Sequence, residues 1–386
     1  MQIWYFTEQQ YHPAWEKVGG PIRNTPPTSL MDPEIAADLM DRYYEEYGAL
    51  DELGLNIAVN EHHTSFQSMS CAPYLSIAAI ARTTRRARLL SIGSPLAQRP
   101  DPVRIAEEAA LADILSRGRT ELGMIRSVPW EYFNAPSNPV GLQRRFWEAH
   151  DLIVKALRTR SGPFAWQGEF FHYHNVNVVP RPYQDPHPPI WITGSSPNTA
   201  RSIAEKGYVA ITTQSGTKGA APFFAAYRDQ YRKTHGCEPD ADRMAYLCYV
   251  AIAHNEPAAR AIAQKIHKWV EFLGSQHPGY QHAAGYAPPE DFARLMKAGK
   301  GASPFFNYVA PDVDQLREQQ VMFWGTPDQV FEQIAAFNRT VGGFGRLLCQ
   351  MGGYATQEET LSTMALMANE VRPRLEALGA VTPEFA

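Results

Sequence analysis

The amino-acid sequence predicts an α/β protein, a (β/α)8 TIM barrel with long insertions at the active-site end, on three observations. Short apolar runs alternate with longer amphipathic segments from the first residue to about Arg372, the sequence form of repeated β-α units. Eight of these runs have strand length and lie between helical patterns, which implies a parallel sheet. Three connections are too long and too rich in Pro, Gly, His and aromatics to be plain loops, and such excursions on a barrel usually build the mouth of its site.

In chain order the expected strands are Gln2 to Phe6, Leu55 to Asn60, Arg88 to Ile92, Thr120 to Ile125, Pro189 to Thr193, Tyr208 to Thr212, Met244 to Ala253 and Gly345 to Gln350. The clearest helix runs from Pro102 to Arg117, opened by proline and closed by Gly118. Its Leu111, Ile114 and Leu115 share one face, which reads as a stripe covering the barrel. The insertions are Glu8 to Asp32, Ser161 to Pro188 and Gly274 to Gln319, within a single domain spanning residues 1–386. The second insertion looks like a hairpin, and its His172 and His174 read as surface or lid residues.

Hydrophobic residues make up 44% and charged residues 20%, the balance of a water-soluble globular chain with ample core. With 36 basic and 40 acidic side chains the net charge is -4, no electrostatic reason to expect nucleic acid or an anionic membrane as partner. Cys71, Cys237, Cys248 and Cys349 are scattered without metal-ligand spacing and read as reduced thiols. No apolar stretch approaches the ~20 residues of a membrane helix, and no leader segment is seen, so a cytoplasmic location is expected.

Glu61-His62-His63 stands just after an apolar strand, where barrel enzymes place functional side chains. A histidine there either moves a proton near neutral pH or simply closes the strand end by packing. Adjacent strand residues face opposite ways, which argues against a metal pair. Ser195, Ser196 and Thr199 follow the strand Pro189 to Thr193 and precede a helix, a turn that offers backbone N–H groups and hydroxyls to an anion, or that merely caps the helix. Arg126, just past the fourth strand, is either a phosphate fork or a surface residue. The glycines at 342, 343, 345, 352 and 353 lack the dinucleotide fingerprint and read as turns.

Taken together, these segments resemble the bacterial luciferase-like flavin monooxygenases over nearly the whole chain. The carriers are Glu61-His62-His63, the stretch Pro102 to Arg126, the run Val179 to Trp191 into Ser195 and Thr199, and Gly325-Thr326-Pro327 before an amphipathic helix. The resemblance implies that His62 is catalytic beside the flavin ring with His63 as its neighbour. It implies that Arg126, Ser195, Ser196 and Thr199 hold the phosphate, and that Ser94-Pro95 occupies the place of the family's irregular, sometimes cis, peptide beneath the ring. It further implies reduced FMN as cofactor, delivered by a separate flavin reductase, and dioxygen used through a flavin hydroperoxide to oxygenate a small organic substrate. A homodimer or higher homo-oligomer follows from family habit. The alternatives are a deazaflavin-dependent hydride-transfer enzyme of the same fold, a non-catalytic flavin-binding protein, and a metal-dependent barrel hydrolase.

Overall fold

The strands of the barrel carry apolar residues on both faces, and the two faces do different things. The structure, a computed structural model, describes residues 1–18, 25–135, 138–274, 285 and 310–379. Its barrel is formed by β1 (Gln2–Phe6), β2 (Asn56–Val59), β3 (Leu89–Pro95), β4 (Thr120–Ile125), β7 (Ile190–Thr193), β8 (Val209–Thr213), β9 (Met244–Ile252) and β11 (Arg346–Gln350). These eight pair in parallel in that order, and β11 returns to β1, from Gln2 opposite Arg346 to Phe6 opposite Gln350. The eight expected strands are therefore the eight of the barrel.

Inward-pointing Trp4, Phe6, Leu90, Trp191, Ile211 and Leu348 pack into one cluster inside the barrel. Their alternates Ile3, Tyr5, Ile57, Leu89, Leu347 and Cys349 face the helical layer instead. Each large apolar side chain so buried contributes roughly 1.5–3 kcal/mol. The two tryptophans meet edge to face at 5.2 Å. Below them, at the N-terminal end, the buried Glu121 of β4 accepts from Arg346 Nη1 at 3.0 Å and from Arg88 and Trp191. This paired charge fills the bottom of the barrel and leaves the opposite end open for a ligand.

The helices that follow the strands are α1 (Pro33–Glu52), α2 (Pro73–Thr83), α3 (Pro102–Ser116), α4 (Leu142–Arg158), α5 (Pro197–Glu205), α6 (Gly216–His235), α7 (Glu256–Gly274), α8 (Val313–Glu318), α9 (Pro327–Thr340), α10 (Gln357–Leu366) and α11 (Arg372–Gly379). Helix α3 starts as its sequence suggests, with the Asp101 carboxylate accepting the Arg104 N–H at 3.2 Å and Pro102 in the first turn. Its apolar stripe is a correction. Leu111, Ile114 and Leu115 are 48%, 37% and 37% exposed, whereas Ile105, Ala106, Ala109 and Ala110 face the core. Alanines let the helix approach the sheet closely, so the bulkier residues end up outside.

A short strand not expected from the sequence, β10 (Met322–Gly325), pairs with the outer half of β9, Met322 opposite Tyr249 through Gly325 opposite Ile252. The insertion at 161–188 folds as the antiparallel hairpin β5 (Phe164–Gln167) and β6 (His172–Val176), with His172 and His174 exposed. Glu148 of α4 accepts the backbone N–H groups of Glu169, Phe170 and Phe171 at 3.0, 2.9 and 3.0 Å, which ties the hairpin to that helix. The greater part of the 274–319 insertion lies outside the described residues. Among the described residues no helix is long and apolar enough to cross a membrane.

Candidate active site

The C-terminal strand ends enclose a cavity of about 200 Å³. Its apolar lining comes from Phe6, Ile92, Gly93, Pro95, Ile125 and Leu247, and its polar lining from Glu8, Asn60, Glu61, His62, Glu131 and Gln350. The close approach of β3 and β4 depends on glycine at two points, of which Gly93 lines the cavity. A Cβ on Gly123 would lie 2.0 Å from the Ser91 carbonyl oxygen, and one on Gly93 would lie 2.9 Å from the Met124 backbone. The pairing of β3 with β4 slips between Ser91 and Ser94, and the Ile92-Gly93 peptide in that slip is cis. Side-chain-free backbone thus forms part of the wall.

His62 stands at the polar edge. Its Nδ1 lies 2.7 Å from Glu131 Oε1 and its Nε2 lies 3.8 Å from Glu8 Oε2. Burial on its own would lower the His62 pKa, but the charges of Glu131, Glu8 and Glu61 and the hydrogen bond to Glu131 outweigh it and push the value up to about 9. Glu131 Oε1 also accepts the His63 backbone N–H at 2.9 Å. A chain of side chains continues around the rim: Gln350 Nε2 donates to Glu8 Oε1 at 3.4 Å, and Gln214 Nε2 donates to Gln350 Oε1 at 2.5 Å. Two buried atoms at this edge, Asn60 Nδ2 and Glu61 Oε2, have no hydrogen-bond partner among the described residues. Buried polar atoms of that kind call for a ligand or water.

Next to the cavity, and sharing Ile125, Thr193 and Thr213 with it, lies a groove of about 450 Å³. Arg126, Ser195, Ser196 and Thr199 all line it, with Gly194, Gln143, Phe146 and Trp147. Ser196 caps α5, accepting the Thr199 N–H at 3.2 Å, and its hydroxyl is 2.9 Å from that of Thr199. The first turn of α5 therefore opens on the groove with its positive dipole end, beside an arginine. Such a donor set suits a phosphate.

Comparison with known proteins places the chain. The description of the luciferase-like monooxygenase family matches residues 33–343. The chain belongs to that family. As a luciferase-like monooxygenase it is an oxidoreductase. It is 25% identical over 353 residues to the oxygenase component of a flavin-dependent trigonelline monooxygenase from Acinetobacter baylyi, covering 89% of this chain and 92% of the relative. It is 22% identical over 325 residues to an alkanal monooxygenase alpha chain of Photorhabdus luminescens, covering 82% and 86%. Among solved structures, the oxygenating constituent of 3,6-diketocamphane monooxygenase from Pseudomonas putida, in complex with FMN, superposes with a TM-score of 0.69 at 21% identity over 88% of this chain and 94% of that one. Tetrahydromethanopterin reductase of Methanopyrus kandleri, which depends on a different coenzyme, shares the fold with a TM-score of 0.65 at 15% identity over 97% and 98%.

Within this luciferase-like barrel the expected site residues fall into two groups. His62 reaches the cavity, and Arg126, Ser195, Ser196 and Thr199 converge on the groove. His63 and Ser94 line neither. The His63 ring turns to Glu61 Oε1 at 3.1 Å. Ser94 is fully buried on the side of β3 that faces Tyr74, because the slip in β3 brings Gly93 and Pro95 to the cavity in its place. The irregular peptide accordingly precedes Ser94-Pro95, at Ile92-Gly93. Glu8, Asn60, Glu131, Gln214 and Gln350 were not expected from the sequence. Each lies at a strand end or in the turn just after one, without spacing that links it to the others, and only the closure of the barrel brings them together.

Proposed function

We propose that this luciferase-like chain is the oxygenase component of a two-component system, which binds reduced FMN from a separate flavin reductase and uses dioxygen to oxygenate a small organic substrate. The observation that carries the proposal is the adjacency of the two spaces, which share a wall. An apolar chamber with a polar edge joins an anion-binding turn through Ile125, Thr193 and Thr213, which matches a flat ring carrying a phosphate tail. The donor set fits that ligand at both ends. Arg126, Ser195, Ser196 and Thr199 would hold the phosphate, and backbone at Gly93 with Ile92 and Ile125 would face the ring. The unpartnered Asn60 Nδ2 would donate to a ring acceptor.

Reduced FMN, when bound, supplies the electrons that activate dioxygen, chemistry that belongs to the cofactor. The chain orients the ring, keeps water from it with Phe6, Ile92, Ile125 and Leu247, and holds a proton on His62 at the polar edge. The trigonelline enzyme's description as an oxygenase component supports the dependence on a separate reductase. We place the chain in the cytoplasm as one barrel domain, with no nucleic-acid or membrane partner. The exposed Leu111, Ile114 and Leu115 face of α3 supports a homodimer or higher homo-oligomer, since contiguous apolar surface of this kind is usually covered.

The test is anaerobic titration with photoreduced FMN, followed by NADH consumption in air with oxidised FMN and no added reductase. The proposal expects saturable binding of reduced FMN and no NADH oxidation above background. Robust NADH turnover by the chain alone, or binding of a deazaflavin with no affinity for reduced FMN, contradicts it.

A further inference from the structure

His62 is held more firmly than packing requires. Glu131 lies on the short 3-10 turn Pro129–Asn134 after β4, is 2% exposed, and reaches back across the site to residues 68 and 69 positions earlier in the chain. The same oxygen, Oε1, meets both His62 Nδ1 at 2.7 Å and the His63 backbone N–H at 2.9 Å. A backbone N–H only donates, so this oxygen is already an acceptor. The consistent assignment makes it a carboxylate oxygen that accepts from His62 Nδ1–H as well. With Nδ1 carrying a proton, the state of His62 is decided at Nε2, which faces Glu8 Oε2 at 3.8 Å.

We propose that Glu131 is a positioning residue that orients His62 through Nδ1 and keeps it a standing proton donor at Nε2, rather than a base, toward the cavity it shares with Glu8. The inference rests on the reading of His62 as the residue that faces the reacting centre. The ionisable groups around His62 are Glu131 from the turn after β4, Glu8 from the end of β1, and Glu61 beside it at the end of β2. Glu61 is itself flanked by His63 at 3.1 Å and Arg99 at 3.5 Å, which draw on its charge, so Glu131 and Glu8 are the carboxylates that act most directly on His62. Burial opposes the charged ring, and the carboxylates overcome it to place the titration near pH 9. A donor so held stays loaded throughout the neutral range.

The experiment uses the purified full-length chain with ¹⁵N-labelled histidine rings, His62 being assigned by its loss in His62→Asn. Wild type should titrate at His62 near 9 and show both nitrogens protonated at neutral pH, and Glu131→Gln should bring the midpoint clearly down. Product formed per reduced flavin should run level through neutrality in wild type and fall as pH rises through about 9, whereas in Glu131→Gln the fall should begin at lower pH, in step with the lowered midpoint. Glu131→Asp, which keeps the charge and shortens the reach, should titrate between the two and serves if the glutamine variant does not fold. An unchanged His62 midpoint in Glu131→Gln overturns the clamp. A lowered midpoint with an unmoved pH profile instead overturns the reading of His62 as donor, so the two failures are told apart.

Discussion

The anion groove and the His62 cavity share Ile125, Thr193 and Thr213, yet they reach their chemistry by different routes. The groove takes most of its donors from one local turn, Gly194 to Thr199, with Arg126 added from the neighbouring strand end, and several of its hydroxyls are exposed. The cavity collects its side chains from all eight barrel strands and the turns that follow them, and its carboxylates are buried. A local turn binds charge by presenting backbone N–H groups that every helix start possesses. A buried cluster must instead hold its charges against desolvation, which it does by pairing them. The groove should therefore tolerate substitution with graded losses of affinity, while the cavity should lose chemistry before it loses binding.

The largest expected effect tests the cavity half of that contrast. His62→Asn keeps an N–H near the Nδ1 position for Glu131 and removes the donor at Nε2. Product per reduced flavin should drop about a hundredfold to ten-thousandfold, the usual worth of a positioned acid, with hydrogen peroxide rising in its place and reduced-FMN affinity little changed. An unchanged ratio of peroxide to product would remove His62 from the chemistry. Next in size, Arg126→Ala should weaken FMN by about 1.5–3 kcal/mol, roughly ten- to a hundredfold, and riboflavin hardly at all, because only FMN carries the phosphate. Equal weakening of both ligands, measured by fluorescence quenching, would detach Arg126 from the phosphate.

These two regions also differ in how legible they were. The strand at 189–193 followed by serines and a helix announces an anion site locally, and the eight barrel strands are legible because each is a bounded apolar run. Strand β10, Met322–Gly325, is no shorter than β2 or β7 but pairs with β9 alone, outside the closed ring, so a repeat of eight β-α units gives it no place. The α3 stripe misled because hydrophobicity marks Leu111, Ile114 and Leu115 while packing distance favours the alanines opposite them. Glu8 and Glu131 carry no spacing signal at all. They become partners of His62 through strand order and the turn after β4, which are properties of closure and not of any window of sequence. Ser94 shows the same limit at finer scale, since one slip in register exchanges it with Gly93.

Smaller effects sharpen the comparison further. Ser196→Ala removes the cap of α5 and should cost about 1 kcal/mol of stability with a few-fold loss of FMN affinity, leaving peroxide coupling unchanged. A loss of coupling in that variant would mean the groove and the cavity are not separable. The pH dependence of melting isolates the cavity. His62 titrates higher in the folded chain than the ordinary 6.5, so its contribution to stability is complete below 6.5 and is lost as pH rises through about 9. Over that window wild type should lose a few degrees in melting temperature relative to Glu131→Gln, and parallel curves would speak against the pairing.

If one ligand spans both regions, a crystal structure of the full chain with FMN will show it. The phosphate should lie within hydrogen-bond distance of Arg126 and the Ser195 to Thr199 turn, and the ring against the Ile92-Gly93 backbone with its polar edge toward Asn60 and His62. FMN bound with its phosphate outside the groove, or with its ring away from the His62 cavity, would contradict it.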